Sequence, residues 1–172
     1  AAAPKLCDAV TKQMSHLQMG SAQIELNFED LPFEQWNKVG STKIELMYKP
    51  SAQMTARPLR KIASGGEVSR VMLACKVVLG ESDVCDTLVF DEVDAGVGGA
   101  TAVALAEVLA QLAKTHQVIV VTHLPQVAVM ASKQYVVSKT EEHNALPVTS
   151  LTEVSGTQRE EEIARMLSGS IT

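Results

Sequence analysis

The stretch TLVFDEVDAGVGGATAVALAEVLAQLAKTHQVIVVT, Thr87–Thr122, decides the fold because it carries the pattern of a β-α-β unit. Its two ends contain TLVF and VIVV, which are short, continuously apolar and rich in β-branched residues. Such runs are typical of parallel strands that are buried on both faces. Between them lies the alanine- and leucine-rich helix ATAVALAEVLAQLAKT. We therefore expect two parallel strands joined by a helical crossover.

The segments on either side of this unit continue the mixed pattern. Upstream, IELNF and KIELMY alternate apolar and polar residues and are expected to pair as antiparallel strands. One helix precedes Gly20, and a second begins after Ser64. The apolar stripe of this second helix is formed by Val68, Val71, Met72, Cys75, Val78 and Leu79. Downstream, YVVSK and VTSLTEV predict two further strands, and REEEIARMLSG predicts a final helix. The expected fold is α/β, a mainly parallel sheet flanked by helices with added antiparallel strands.

The composition limits the classes of protein that fit. A chain of 172 residues that is 46% hydrophobic is long enough for a buried core. Its net charge of −5 provides no basic footprint for nucleic acid, so a DNA contact would have to be local or lie elsewhere in an assembly. The three cysteines form neither a disulfide framework nor a metal-ligand pattern. Since we find no secretory signal and no apolar run long enough for a bilayer, we expect a cytoplasmic protein that does not bind a membrane.

Polar residues follow both strands of the β-α-β unit. TLVF runs into Asp91-Glu92, and VIVV runs into Thr122-His123. Because parallel strands bring their carboxyl ends to one edge of a sheet, where open α/β folds bind ligands, we expect these residues to meet. One carboxylate suits Mg²⁺, the next can accept a proton from water, and the histidine can donate a hydrogen bond to an anionic oxygen. Taken alone, the acidic pair is read as a solvated turn and His123 as a structural histidine; only their joint placement favours a site.

The start of the second helix, Ser64-Gly65-Gly66-Glu67, has two interpretations. Ser64 as the N-cap and Glu67 three residues later form a capping box, which needs no ligand. A capping box does not, however, require glycines at the first two helical positions, where they weaken the helix. Their presence predicts that some group approaches the backbone closely, and a phosphate on the exposed N–H groups is one candidate.

Three motifs in this order, ASGGEVSR, TLVFDEVDAGVGG and VIVVTHLPQVA, resemble the C-terminal lobe of the ATPase head of SMC-type ATP-binding-cassette proteins. Within that group they are most similar to the RecN family of bacterial DNA-repair proteins. The resemblance covers most of the chain from about Arg57 onward. It implies that SGGE is the signature motif, that TLVFDE is Walker B and that TH contains the switch histidine.

The resemblance also implies a role for each matching residue. The nucleotide phosphate would be contacted by Ser64, Gly65, Gly66 and Glu67. Asp91 would order Mg²⁺ through its water shell, Glu92 would polarise the attacking water, and His123 would sense the γ-phosphate. The segment Val93–Gly99 has neither the proline nor the Leu-Asp pair that is common in transporter cassettes, which fits RecN and leaves any role of Asp94 weakly supported.

A P-loop is missing from the 172 residues, because G-x-x-x-x-G-K-[ST] does not occur in them. We therefore expect the chain to be inactive alone, and the resemblance implies that the N-terminal Walker A lobe of the same protein completes the head. By the resemblance, residues 1–20 are the end of a coiled-coil helix and residues 21–172 are the C-terminal lobe.

The implied whole protein binds ATP and Mg²⁺ and dimerises through ATP held between two heads. It acts on DNA in double-strand-break repair and recombination, at the bacterial nucleoid. Two alternatives remain: a non-catalytic interaction module, and the ATPase subunit of an ABC transporter, which the 93–99 segment disfavours.

Overall fold

The computed structural model describes residues 2–82, 85–140 and 148–169. The chain forms two compact units, residues 1–121 and residues 122–172. The helices and strands of the first unit are α1 (Ala2–His16), β1 (Gln23–Asp30), β2 (Thr42–Lys49), β3 (Arg57–Pro58), α2 (Gly65–Leu79), β4 (Thr87–Phe90), α3 (Gly99–Leu112) and β5 (Gln117–Val120). Those of the second unit are α4 (Pro125–Ala128), β6 (Gln134–Thr140), β7 (Val148–Val154) and α5 (Gly156–Ser168).

Strands β1 and β2 form the expected antiparallel pair. Their register places Ile24 opposite Tyr48 and Phe28 opposite Ile44. The apolar face is buried at one end of the pair, where Ile24 and Tyr48 are 3% exposed, and open at the other, where Phe28 is 54% exposed. The two-residue strand β3 pairs with the end of β2, although the sequence predicted only an irregular connection there.

The core of the first unit lies where α1 packs against α2 and β1. Its fully buried side chains include Val10, Met14, Leu17, Val71 and Leu73. The apolar stripe predicted for α2 is partly wrong, because Met72 and Leu79 are exposed while Leu73 and Ala74 are buried. The contacts of α2 with α1 and α3 decide which of its side chains are covered, and these contacts are not encoded in the periodicity of the helix.

Strands β4 and β5 form the predicted parallel pair, with Leu88 opposite Val118 and Phe90 opposite Val120. Helix α3 connects them. One face of the pair is covered, since Leu88 and Phe90 are buried. The prediction that both faces are buried is wrong for these residues: Val89 is 66% exposed, and Ile119 and Val121 are also exposed. Among the described residues, the face that carries these three side chains is therefore open.

The second unit contains the two predicted C-terminal strands and the final helix. β6 and β7 pair as antiparallel neighbours from Gln134 opposite Val154 to Thr140 opposite Val148. Most of the loop predicted between them, residues 141–147, lies outside the described residues. Arg159 of α5 donates hydrogen bonds to the carbonyl oxygens of Ala128, Val129 and Ala131 at 2.6–3.3 Å, which holds α5 to the end of α4. None of the described helices has the length and apolar character needed to cross a membrane.

Candidate functional site

The acidic pair lies at the start of a short loop, residues 91–97, which follows β4 and is called the acid loop below. Two tight turns shape it: the Ala95 amide donates to the Glu92 carbonyl, and the Val97 amide to the Asp94 carbonyl, each at 3.0 Å. Asp91 and Glu92 are exposed, whereas the next two residues are buried. The buried half anchors the loop, and the two leading carboxylates face solvent.

Glu92 has a left-handed backbone conformation, with φ of 56°. This region is unfavourable for a residue with a Cβ, and a non-glycine residue held there costs about 1–3 kcal/mol. Such strain persists only where surrounding contacts enforce it, and it is concentrated at functional sites. We therefore expect contacts that fix the backbone on either side of Glu92.

The helix start at Ser64 has the predicted N-cap. Ser64 has an extended backbone, and its hydroxyl oxygen accepts a hydrogen bond from the Glu67 amide at 3.3 Å. This contact is the N-cap half of a capping box. The structure thus explains the Ser64 position through helix capping, independently of any ligand.

The two glycines after Ser64 pack against the acid loop of the same chain. A Cβ at Gly65 would collide with the Oε2 atom of the Glu92 carboxylate. A Cβ at Gly66 would lie 2.9 Å from the Ala95 Cβ and 3.0 Å from the Glu92 carbonyl oxygen, too close for an alanine without movement. The sequence predicted a close approach to these glycines. The group that approaches them in this structure is the acid loop, so the expected phosphate contact stays a prediction.

Helix α2 also holds the acid loop through two side chains to which sequence reasoning assigned no role. The Ser69 hydroxyl donates to the Asp91 carbonyl at 2.8 Å. The Arg70 guanidinium donates through Nη1 to the carbonyls of Val93 and Ala95, at 3.2 and 2.9 Å. Both residues belong to the quoted motif ASGGEVSR, but their carbonyl partners lie more than twenty residues away in sequence. Only the folded chain brings these groups together.

The negative charge of Glu67 acts on the phenol of Tyr48. Burial raises the pKa of the Tyr48 phenol, and the negative charge of Glu67 raises it further, while the Arg70 charge lowers it. Glu67 is half-buried. This interaction relates Glu67 to Tyr48, and the expected contact of Glu67 with a phosphate remains a prediction.

His123 lies in the second unit, directly before α4. It is exposed, and the neighbouring Thr122 hydroxyl oxygen accepts a hydrogen bond from the Leu124 amide at 3.0 Å. Of the predicted site residues, the first unit brings together the glycines of the SGGE motif and the loop that carries the acidic pair. The expected position of His123 beside that pair stays a prediction.

The donor set of the acid loop fits a cation that arrives with a phosphate better than one caged by protein alone. Among the described residues, no group of three or more His, Cys, Asp and Glu side chains could hold a metal ion. Mg²⁺ characteristically keeps several waters and binds through one or two carboxylates together with substrate phosphates. The exposed carboxylates of Asp91 and Glu92 meet that requirement.

The relatives of the chain are DNA-repair proteins. It is 39% identical over 178 residues to the DNA repair protein RecN of Streptomyces coelicolor, a match that covers 98% of the chain and 31% of the relative. It is 42% identical over 167 residues to the RecN of Deinococcus radiodurans, covering 97% of the chain and 29% of the relative. The resemblance to RecN is confirmed. The chain spans about 30% of the length of these RecN proteins, and no family model matches it.

Solved structures with a similar fold are SMC heads. The Smc head domain with a coiled coil and joint from Pyrococcus yayanosii has a TM-score of 0.62 at 18% identity, covering 93% of the chain and 28% of that structure. The Smc head of Pyrococcus furiosus, bound to the C-terminal domain of ScpA, has a TM-score of 0.58 at 19% identity, covering 95% and 37%. At this identity the likeness concerns the fold. It confirms the expected α/β fold, which these SMC heads share.

Proposed function

We propose that the chain is the C-terminal lobe of a RecN ATPase head and supplies the signature motif, Walker B and the switch histidine for ATP-dependent head dimerisation and ATP hydrolysis. The observation that carries this proposal is the packing of the SGGE helix start on the acid loop, with two exposed carboxylates at the end of a parallel strand. That arrangement brings anion-binding backbone and acidic side chains into one small region. RecN relatives and SMC-head neighbours supply the reaction class by analogy.

Each residue of this region has a role that its chemistry allows. Asp91, at the end of β4, would hold the water shell of Mg²⁺. The Glu92 carboxylate would accept a proton from the attacking water, as a general base does. The first-turn N–H groups of α2, with Ser64, would bind the γ-phosphate on the partner head of a homodimer, because a helix N-terminus favours anions. His123 would donate a hydrogen bond to the γ-phosphate of the ATP bound in its own head.

A phosphate at Gly65 requires the Glu92 carboxylate to turn away, because its Oε2 atom occupies the space next to the Gly65 Cα. Glu92 is exposed, so its side chain has room to rotate. Phosphate binding at the helix start and release of the carboxylate toward water would then occur together. On this proposal, the packing of the Glu92 carboxylate on Gly65 would precede the arrival of the partner head.

The open face of the parallel pair supports the need for a second lobe. Val89, Ile119 and Val121 are exposed on one face of β4 and β5, whereas parallel strands are normally covered on both. The Walker A lobe, which would carry the P-loop that the 172 residues lack, is the segment that we propose covers it. Residues 1–20, which include α1, would be the end of the coiled-coil helix that joins the lobes, and residues 21–172 the lobe itself.

The proposed cellular role is DNA double-strand-break repair and recombination in the bacterial cytoplasm, at the nucleoid. RecN relatives are named as DNA repair proteins. The net charge of −5 gives the chain no general affinity for DNA. We therefore place the DNA contact in the full-length protein or its dimer.

The test is Glu92→Gln in the full-length protein. Glutamine keeps the shape of the side chain but cannot accept a proton, so steady-state ATP hydrolysis is expected to fall by about 10²–10⁴-fold. ATP-dependent dimers, measured by light scattering, are expected to persist. Glu161→Gln, which changes a carboxylate elsewhere on the surface, serves as the matched control and should retain full turnover. Undiminished hydrolysis by the Glu92 variant would refute the proposal.

A second candidate function is a non-catalytic interaction module. One observation favours it: the Ser64 cap and the packing of Gly65 and Gly66 on the acid loop explain the SGGE motif without a phosphate. On this alternative, the Glu92→Gln and wild-type full-length proteins would both lack ATP turnover.

A further inference from the structure

The acid loop is held on both sides of Glu92 by two consecutive residues of α2. Before Glu92, the carbonyl of Asp91 accepts from the Ser69 hydroxyl at 2.8 Å. After Glu92, the carbonyls of Val93 and Ala95 accept from Arg70 at 3.2 and 2.9 Å. The side chain of Glu92 itself takes part in none of these three bonds. The contacts therefore constrain its backbone and leave its carboxylate available.

The strained backbone conformation of Glu92 requires bonds that fix its neighbours. A residue with φ of 56° relaxes toward more favourable backbone angles unless its neighbours are fixed. The turns inside the loop fix Ala95 and Val97 relative to the loop itself. The bonds from Ser69 and Arg70 fix the loop relative to the helix whose first turn carries Gly65 and Gly66.

We propose that Ser69 and Arg70 are positioning residues for Glu92. They hold the acid loop in the conformation that places the Glu92 carboxylate at the end of β4, and they couple its position to the N-terminus of α2. This inference rests on the proposed function, in which Glu92 is the general base. Misplacing a catalytic group by about 1 Å can lower a rate by about a hundredfold, so the loss of these bonds should affect the rate of the reaction more than substrate binding.

The experiment compares Arg70→Met and Arg70→Lys in the full-length protein. Methionine keeps an unbranched apolar side chain but has no donor, and we expect kcat for ATP hydrolysis to fall about ten- to a hundredfold with KM unchanged. Lysine keeps charge and donors, so it should recover part of the rate. Arg159→Met is the matched control, because Arg159 also donates to three backbone carbonyls but lies in the second unit. Its kcat should match that of the wild type.

A residue that acts through Glu92 has no further effect once Glu92 is disabled. Arg70→Met combined with Glu92→Gln should therefore react at the same rate as Glu92→Gln alone in single-turnover assays with excess enzyme. Hydrogen exchange at the amides of residues 91–97 should accelerate in Arg70→Met and not in Arg159→Met.

Three results would overturn the positioning role: unchanged kcat and unchanged exchange in Arg70→Met, an equal rate loss in the Arg159 control, or a full additional loss in the double variant. These differ from the failure of the proposed function, which would appear as undiminished turnover in Glu92→Gln or absence of turnover in the wild type.

Discussion

Two helices of the first unit begin at a pair of glycines, and the two pairs are used differently. At α2, the acid loop fills the space beside both glycines: a Cβ at Gly66 would meet backbone and the Ala95 Cβ, and a Cβ at Gly65 would meet the movable end of the Glu92 side chain. At α3, nothing lies within 4 Å of a Cβ placed on Gly98 or Gly99. Gly99 instead has a φ of 56°, which a residue with a side chain rarely adopts. The first pair allows close packing, and the second includes a backbone turn.

The two pairs differ by one position, since Gly65 and Gly66 are the first two residues of α2 whereas Gly98 is the N-cap and Gly99 the first residue of α3. A Gly-Gly pair at a helix start therefore does not by itself identify a phosphate site. What distinguishes α2 is the group that its glycines face, the strained Glu92 and its neighbour Ala95 on the loop that joins β4 to α3. Replacing each glycine by alanine distinguishes close packing from a backbone turn. Packing and backbone conformation change the free energy of unfolding, whereas a catalytic role changes ATP turnover.

The largest effect on stability is expected for Gly66→Ala. Its new Cβ would lie 2.9 Å from one carbon and 3.0 Å from a backbone oxygen, and overpacking of this kind costs about 1–3 kcal/mol. The better helix propensity of alanine returns about 0.5–1 kcal/mol. We expect a net decrease in the free energy of unfolding, measured by urea denaturation of the 172-residue chain.

The control for this prediction is Gly98→Ala. Gly98 is the N-cap of α3, has an extended backbone and has open space around it. Its replacement should lower the free energy of unfolding by less than about 1 kcal/mol, because the only expected cost is that alanine is a poorer N-cap residue than glycine. Equal effects at Gly66 and Gly98 would mean that the acid loop does not pack on α2 in solution.

A smaller loss is expected for Gly99→Ala. No atom obstructs the new methyl group, but an L-residue in the left-handed region costs about 1–2 kcal/mol, and better helix propensity offsets part of it. Asparagine tolerates this region better than alanine, so Gly99→Asn should be the more stable of the two in the same denaturation experiment. If alanine were the better tolerated, the turn into α3 would not require a positive φ.

Local sequence patterns predicted the elements and failed where burial depends on distant parts of the chain. Alternation in IELNF and KIELMY predicted β1 and β2, which pair as expected. The apolar runs at β4 and β5 predicted a parallel pair correctly, but not that Val89 and Ile119 would be exposed. The pattern of apolar residues in a strand shows which of its faces are apolar, whereas the exposure of a face depends on whether another segment of the chain covers it.

The candidate site shows the same division. The spacing of Ser64 and Glu67 was enough to predict the N-cap, because the hydrogen bond joins residues three apart. The unfavourable use of two glycines predicted a close approach but not the identity of the approaching group. Ser69 and Arg70 carried no usable signal, since a serine and an arginine on a helix surface are common and their partners are set by tertiary structure.

The smallest effect on stability, and the sharpest functional test, is expected for Gly65→Ala. The atom that its Cβ would meet is the far end of the Glu92 side chain, which is exposed and can rotate. The free energy of unfolding should therefore change by less than about 1 kcal/mol, which is the gain in helix propensity from glycine to alanine. If Gly65 binds a phosphate and orders Glu92, ATP turnover of the full-length protein falls despite this small change. An interaction module would show the change in stability alone.

Combining Gly65→Ala with Glu92→Ala tests whether the effect of Gly65→Ala arises from its contact with the Glu92 carboxylate. Removing the carboxylate removes the collision, so Gly65→Ala should be more favourable for folding in the Glu92→Ala background than in the wild type, because residues in contact give non-additive effects. Additive unfolding energies would place Glu92 away from Gly65 in solution. If the unfolding energies were additive and ATP turnover still fell in Gly65→Ala, Gly65 would be needed for phosphate binding and not for packing against the acid loop.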